Sequence, residues 1–296
     1  MKQNMRQKNM QAYLFLSPFL VFITVLYILP AILTVIMAFT SLDSAFIWKV
    51  NGINNFRKIL MDPNTPIIAW NTIKYVGITI FLTVVLDLFF AIMTTYFIRD
   101  ERKGNIFKGI LMIPMITPAV VYSVLWIWLL EATPNGLANK VYMALGGSEP
   151  LNWIAQYPFV IIIAATLLTS IAYGTTVFSS AVKSIPENQF RAARVDGAGE
   201  WEIVRNIILP NLRFHITFIA LWETLGLLTN YVTIMLITNG GPGVQTEVWA
   251  LSAYHKAFSD SQYGYGAAIS LVLIVVVMVL MLVIGAVMHH QEKSRS

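Results

Sequence analysis

The chain contains no cysteine in 296 residues. That excludes disulfides, thiolate metal sites, iron–sulfur clusters and thiol catalysis. Charge is scarce too. Only 12% of the residues are charged, against roughly 25% in soluble domains. Histidine is limited to His215, His255, His289 and His290, all in loops or at the ends of apolar runs. The pair His289–His290 has no further ligands beside it, so no metal site is expected. There is no G-x-x-x-x-G-K-S/T phosphate loop, which rules out ATP binding by that route. No nucleophile–base pair at helical spacing supports an intramembrane hydrolase, and no catalytic residue is expected. The net charge is +5, but no basic stretch is interleaved with aromatics, so nucleic acid is not a partner.

What the chain does have is apolar length. It is 57% hydrophobic, with mean hydropathy +0.67. A membrane-spanning helix needs ~20 mostly apolar residues. Six segments qualify: 13–39, 75–97, 110–130, 159–182, 214–237 and 267–288. They run along the whole sequence, so an all-α membrane protein forming a single transmembrane domain over residues 1–296 is expected. The first run is too long for a signal-peptide core of ~7–15 residues, and no cleavage site follows it. Orientation follows from the basic residues. With a cytoplasmic N-terminus, one side carries Lys2, Arg6 and Lys8, then Arg99, Arg102, Lys103 and Lys108, five more between Lys183 and Arg213, and Lys293 with Arg295. The other side carries Lys49, Arg57, Lys58, Lys74, Lys140 and Lys256. This bias places both termini in the cytoplasm.

The most polar long segment is Lys183 to Arg213, KSIPENQFRAARVDGAGEWEIVRNIILPNLR. It reads as two short helices around a glycine turn. Ser184 and Glu187 have capping-box spacing, with Pro186 in the first turn. Gly197 supplies a stop. Trp201, Val204, Ile207 and Ile208 share a face of the second helix, which Pro210 interrupts. Spacing alone leaves two readings open: a docking surface, or an amphipathic connector lying on the bilayer.

Two acids, Asp87 and Glu223, fall inside spans. Such residues face a polar cavity or bond to a neighbouring helix. Span five carries Thr229, Asn230, Tyr231 and Thr233 before NGGPG, which suggests a helix that loosens at that end; irregular backbone at that depth must line a cavity or be buried in protein. Pro114, Thr117 and Pro118 predict a kink in span three. Span four is rich in small hydroxyl residues around Tyr173, suited to close helix contact. Residues 40–73 read as a folded cap, and the aromatics of the outer loops as interfacial anchors.

Residues 191–210 resemble the EAA loop of binding-protein-dependent ABC importers. The family pattern is E-A-A, three residues, a glycine, then I-x-L-P. Ala192, Ala193, Asp196, Gly197, Ala198, Ile207, Leu209 and Pro210 match at the right spacing. The glutamate is replaced by Arg191, with Glu187 one turn earlier. Elsewhere YLFLSPFLVFITVLYILPAI, FKGILMIPMITPAVVYSVLWIWLL and LITNGGPGVQTEVWALSAYHKAF are similar to the carbohydrate branch, the maltose and glycerol-3-phosphate type.

The resemblance implies a type I ABC importer permease core with a cytoplasmic coupling helix in a bacterial cell membrane. It implies a second, homologous permease as heterodimer partner, two ATPase subunits beneath, and an extracellular solute-binding protein that delivers a sugar or oligosaccharide. ATP and Mg would belong to the ATPase chains, so no cofactor is expected here. Glu187, Arg191, Ala192, Ala193, Asp196, Gly197, Ala198, Leu209 and Pro210 would meet the ATPase. Thr117, Tyr173, Glu223, Thr229, Asn230 and Tyr231 are candidates for the solute path. The rival reading is a proton- or ion-coupled carrier using Asp87 and Glu223.

Overall fold

A computed structural model describes residues 2–98 and 100–293, with side chains over 13–98 and 100–286. Arg99 and Arg295 lie outside the described residues. Lys2, Arg6, Lys8, His289, His290 and Lys293 are described by their backbone alone. The regular structure of the described residues is all helix, joined by turns and loops, apart from one isolated bridge between Thr40 and Val50. It divides into two compact units, residues 1–62 with 252–274, and residues 63–251 with 275–296.

In the first unit, α1 (Lys2–Ile23) passes through a π-helical turn (Thr24–Ile28) into α2 (Leu29–Ala38). The long apolar stretch Tyr13–Ala38 buries none of its most apolar window within the chain. The segment after α2 holds a short amphipathic helix, α3 (Asn54–Met61). Buried Asn55 donates to the carbonyls of Ala38 (2.9 Å) and Thr40 (2.8 Å), which ties α3 to the end of α2. Lys58 donates to Gln262 at 2.6 Å and lies 4.3 Å over the Tyr265 ring. Its ammonium is thereby held on the first turn of α15 (Tyr263–Lys293).

The second unit is built on α4 (Thr65–Ile92) and α9 (Pro158–Lys183). Buried Asp87 of α4 accepts from the Thr175 backbone N–H at 3.0 Å and from its hydroxyl at 3.1 Å. A Cβ on Gly174 would sit 1.9 Å from the Asp87 carboxylate, so only glycine allows this approach. Farther along, the Tyr75 and Thr166 hydroxyls bond at 3.0 Å. Among lipid-facing elements such fits and polar bonds hold helices together, because burying apolar surface gains little against hydrocarbon. Through Oδ1, Asp87 thus ties α4 to α9, while its Oδ2 is buried without a hydrogen-bond partner.

Four single helices of the described chain are long and apolar enough to cross a membrane: Tyr13–Ala38, Thr65–Phe97, Pro158–Lys183 and Tyr263–Ala286. A fifth arises if α5 (Glu101–Ile116) and α6 (Ala119–Leu129) count as one broken span. The kink expected at Pro114–Pro118 is a 96° bend, so residues 110–130 do not form one straight helix. Pro118 pushes Thr117 into extended backbone and cannot donate to the preceding turn. The run 214–237 falls on α12 (Leu209–Thr229) and α13 (Val232–Ile237), which are separated at Asn230–Tyr231.

Candidate functional site

The segment 183–213 begins where α9 ends. The Ser184 hydroxyl donates to the Ala181 carbonyl at 2.8 Å, so it closes α9 and opens nothing. The expected capping box does not form. The next helix, α10 (Glu187–Val195), starts behind Pro186, two residues too late for Ser184 to reach its free N–H groups. The reciprocal bond appears at the following helix instead. Glu202 of α11 (Glu200–Ile203) accepts from the Gly199 N–H at 2.8 Å.

The stop after α10 is built as its glycine suggests. Gly197 has φ +82°. Its N–H donates to Arg194 at 3.2 Å, and the Ala198 N–H donates to Ala193 at 2.9 Å. These two bonds make a Schellman motif, which needs a left-handed residue at this position. No atom lies within 4 Å of where a Gly197 Cβ would be. The requirement is therefore one of backbone conformation.

Pro210 does not interrupt the second helix. Residues 204–208 form a π-helical turn, and the backbone stays right-handed helical from Ile203 through Leu209. The widened turn accommodates the ring and the missing N–H of proline. Val204, Ile208 and Leu212 are buried against Phe178, Ala181 and Val182 of α9 and Ala91 and Ile92 of α4. Trp201 departs from the face assigned to it: it is 69% exposed, with its ring 5.9 Å from that of Phe97.

α10 has no buried residue. Its seat is Phe190, which packs against the three-helix cluster and lies 5.6 Å from the Tyr96 ring. Tyr96 stands in a π-helical turn (Met93–Phe97) that ends the α4 rod. Its hydroxyl donates to the Glu200 carboxylate. Arg194 reaches the same hydroxyl at 3.5 Å and the Glu200 carboxylate at 4.0 Å. Lys183 pairs with Glu101 at 2.7 Å. The segment is thus fastened through Tyr96, Arg194 and Glu200 to a helix more than a hundred residues away in sequence. Sequence reasoning missed this clamp, because nothing local marks Tyr96 as the partner of Glu200. The outward residues Glu187, Arg191, Ala192, Val195 and Asp196 are exposed, and Ala193 and Ala198 are partly covered. Leu209 packs against the cluster and Pro210 is exposed.

The solute-path candidates are placed less coherently. Tyr173 of α9 lies 6.3 Å from the Trp222 ring of α12, next to half-buried Glu223. Trp222 was not singled out from sequence. Thr229, Asn230 and Tyr231 mark the break between α12 and α13; Asn230 accepts from the Val232 N–H at 3.2 Å and so starts the second piece. Thr117 sits at the separate α5–α6 bend, its hydroxyl donating to Ile113 at 2.8 Å. Beyond the break, the stretch that follows the NGGPG turn is fixed from α4. Asn71 donates to the carbonyls of Val244 (2.8 Å) and Glu247 (3.3 Å), and the Trp249 N–H donates to Thr72 at 2.8 Å. No group of three or more His, Asp or Glu side chains suited to a metal ion occurs among the described residues.

Residues 87–296 match the family described as binding-protein-dependent transport system inner membrane component. The chain belongs to that family. The stretch matched takes in the segment 183–213 and both helix breaks. Among this permease's relatives is the trehalose/maltose transport system permease protein MalF of Thermococcus litoralis, 27% identical over 263 residues, covering 87% of this chain and 86% of that one. The arabinooligosaccharides transport system permease protein AraP of Bacillus subtilis is 26% identical, over 88% of this chain and 83% of that one. In fold, the permease is similar to a chain of a bacterial alginate ABC transporter solved with an alginate pentasaccharide-bound periplasmic protein. The TM-score is 0.83 at 18% identity, over 94% of this chain and 93% of that one. The chain is a transport subunit with an ABC importer permease fold, not a catalytic enzyme.

Proposed function

We propose that this permease is one half of the translocation path of an ATP-driven sugar importer and is driven through residues 183–213. The observation that carries the reading is the construction of α10. It is a short helix stopped by a Schellman glycine, exposed on its outer face and seated on Tyr96 through Phe190 and Arg194, with Glu200 just beyond it bonded to the same tyrosine. A free connector on a bilayer needs no such fastening. The sugar assignment is supported by relatives named for trehalose, maltose and arabinooligosaccharides.

In this reading the polypeptide crosses the membrane six times with both termini in the cytoplasm. The bent pair α5–α6 and the broken pair α12–α13 each count as one crossing. A second, homologous permease completes the path, two ATPase subunits dock on the α10 segments, and an extracellular binding protein delivers the solute. ATP and Mg reside on the ATPase chains. Closure of the ATPase dimer drives the two α10 segments together. The Tyr96 clamp passes that displacement to α4, and the continuous helix beyond Glu200 passes it to α12. Glu187, Arg191, Ala192, Ala193, Asp196, Gly197 and Ala198 form or shape the docking face, with Leu209 and Pro210 at its root. Thr117, Tyr173, Glu223, Thr229, Asn230 and Tyr231 supply hydrogen bonds or a stacking face to the solute.

The test is a Gly197→Glu variant in the reconstituted transporter. Left-handed backbone costs a non-glycine residue ~1–2 kcal/mol, and the site is open, so the helices stay folded. Stimulation of ATP hydrolysis by loaded binding protein is expected to be lost together with uptake. Unchanged stimulation removes the docking role. Uptake by this chain alone in liposomes, driven by an ion gradient, would favour the carrier reading.

A further inference from the structure

Within the second unit, α6, α7 (Leu137–Ala144) and α9 surround a half-open cavity of about 480 Å3. That is within the size of small-molecule sites, roughly 300–1,000 Å3. Its walls are the rings of Tyr122, Trp126 and Trp128 together with leucines that include Leu168. The Tyr122 hydroxyl is already spent on the Ala165 carbonyl at 2.7 Å, so this residue offers the cavity only its ring. The polar side chains of the lining are Asn135 and Lys140. Both lie beyond the end of α6, where the chain leaves its apolar stretch. The Lys140 ammonium makes no ion pair among the described residues.

A sugar fits this lining badly. Each of its hydroxyls needs a partner once it leaves water, and two side chains at one end cannot provide them. The lining is instead graded as a bilayer leaflet is. It is apolar, with two indoles, along α6, and ends in an amide and a cation past that helix, the order of apolar core, aromatic belt and charge found at a membrane interface. We propose that the cavity holds an acyl chain of a membrane phospholipid, with the lipid phosphate on Lys140. Such a lipid would brace the far end of α6 against α9.

The experiment uses the assembled transporter in detergent, washed until bulk lipid is gone, then measured by native mass spectrometry and phosphate analysis. Wild type is expected to keep a phospholipid that Leu168→Trp and Leu125→Trp, which fill the cavity from different helices, each release. Titration with phosphatidylglycerol brominated in its acyl chain should quench a tryptophan signal that Trp126→Phe/Trp128→Phe removes. Lys140→Gln should weaken that titration about fivefold, the effect of one cation near a phosphate surface. It should not weaken a titration with a brominated alkyl maltoside, which lacks the phosphate. Equal retention by wild type and both tryptophan variants overturns the proposal. So does retention by the isolated chain that is lost on assembly, which would mean that a second subunit covers the cavity. None of these readouts requires transport, so they stand or fall separately from the importer reading.

Discussion

Replacing Gly174 with alanine puts a methyl group where the Asp87 carboxylate now lies. The new carbon would be 1.9 Å from Oδ2 and 2.5 Å from Cγ. Ordinary contact begins near 3.5 Å, so the carboxyl group must move by more than about 1 Å. It then forfeits the bonds from the Thr175 N–H and hydroxyl. Overpacking a close helix contact costs ~1–3 kcal/mol, and two buried hydrogen bonds are worth about 1 kcal/mol each. The total is roughly 3–5 kcal/mol, or roughly 5–8 °C in apparent Tm for a chain of this size. The assay is thermal unfolding of the purified transporter in detergent, followed by loss of monodisperse elution. Gly77→Ala on α4, the helix that carries Asp87, is the control, since no atom lies within 4 Å of its new Cβ. It should leave Tm unchanged or raise it slightly. The decisive comparison is Asp87→Ala/Gly174→Ala. Once the carboxylate is gone, the alanine at 174 should cost at least 2 kcal/mol less than it does in wild type. If Gly174→Ala is as stable as wild type, or if its cost is the same without Asp87, the α4–α9 contact is not what holds these helices.

Three further predictions concern the site. Tyr96→Phe and Glu200→Gln each disturb the clamp without altering its size, and should lower uptake per ATP hydrolysed more than they lower Tm; equal loss in both would reduce the clamp to a stability element. Asn71→Ala removes the bonds to Val244 and Glu247. It should cost ~1–3 kcal/mol locally and speed hydrogen exchange at residues 239–248, and unchanged exchange there counts against the tether. Glu223→Gln should keep sugar uptake within about threefold, since an amide still bonds hydroxyls, whereas Glu223→Ala should lower it at unchanged basal ATP hydrolysis. Equal uptake by Glu223→Ala and wild type removes Glu223 from the path.

Much of this architecture is written in local signals. Gly197 announces the end of α10 because only a residue that tolerates positive φ closes a Schellman motif. Pro118 announces the α5–α6 bend because it removes a donor and constrains Thr117. Such signals failed where a residue had a choice of partners. Ser184 had the spacing of a cap, but its hydroxyl found a closer carbonyl on Ala181. Pro210 had the look of a helix breaker, but a π-helical turn absorbed it, and no residue pattern distinguishes the two outcomes. Trp201 matched the apolar spacing of its neighbours yet faces outward. What remained invisible was long-range pairing. Asp87 with Gly174 and Tyr96 with Glu200 are each joined by the fold across some ninety to a hundred positions.

The π-helical turn at Val204–Ile208 makes α11 and α12 a single uninterrupted rod from Glu200 to Thr229. At 1.5 Å per residue that rod is about 45 Å long. Moved as one piece, a helix of that length amplifies angle into distance. Tilting it by about 5° about the Glu200 end carries Thr229 sideways by about 4 Å, more than a hydrogen bond can stretch. The proline that looked like a joint is therefore the middle of a pointer, whose tip is the Asn230–Tyr231 break.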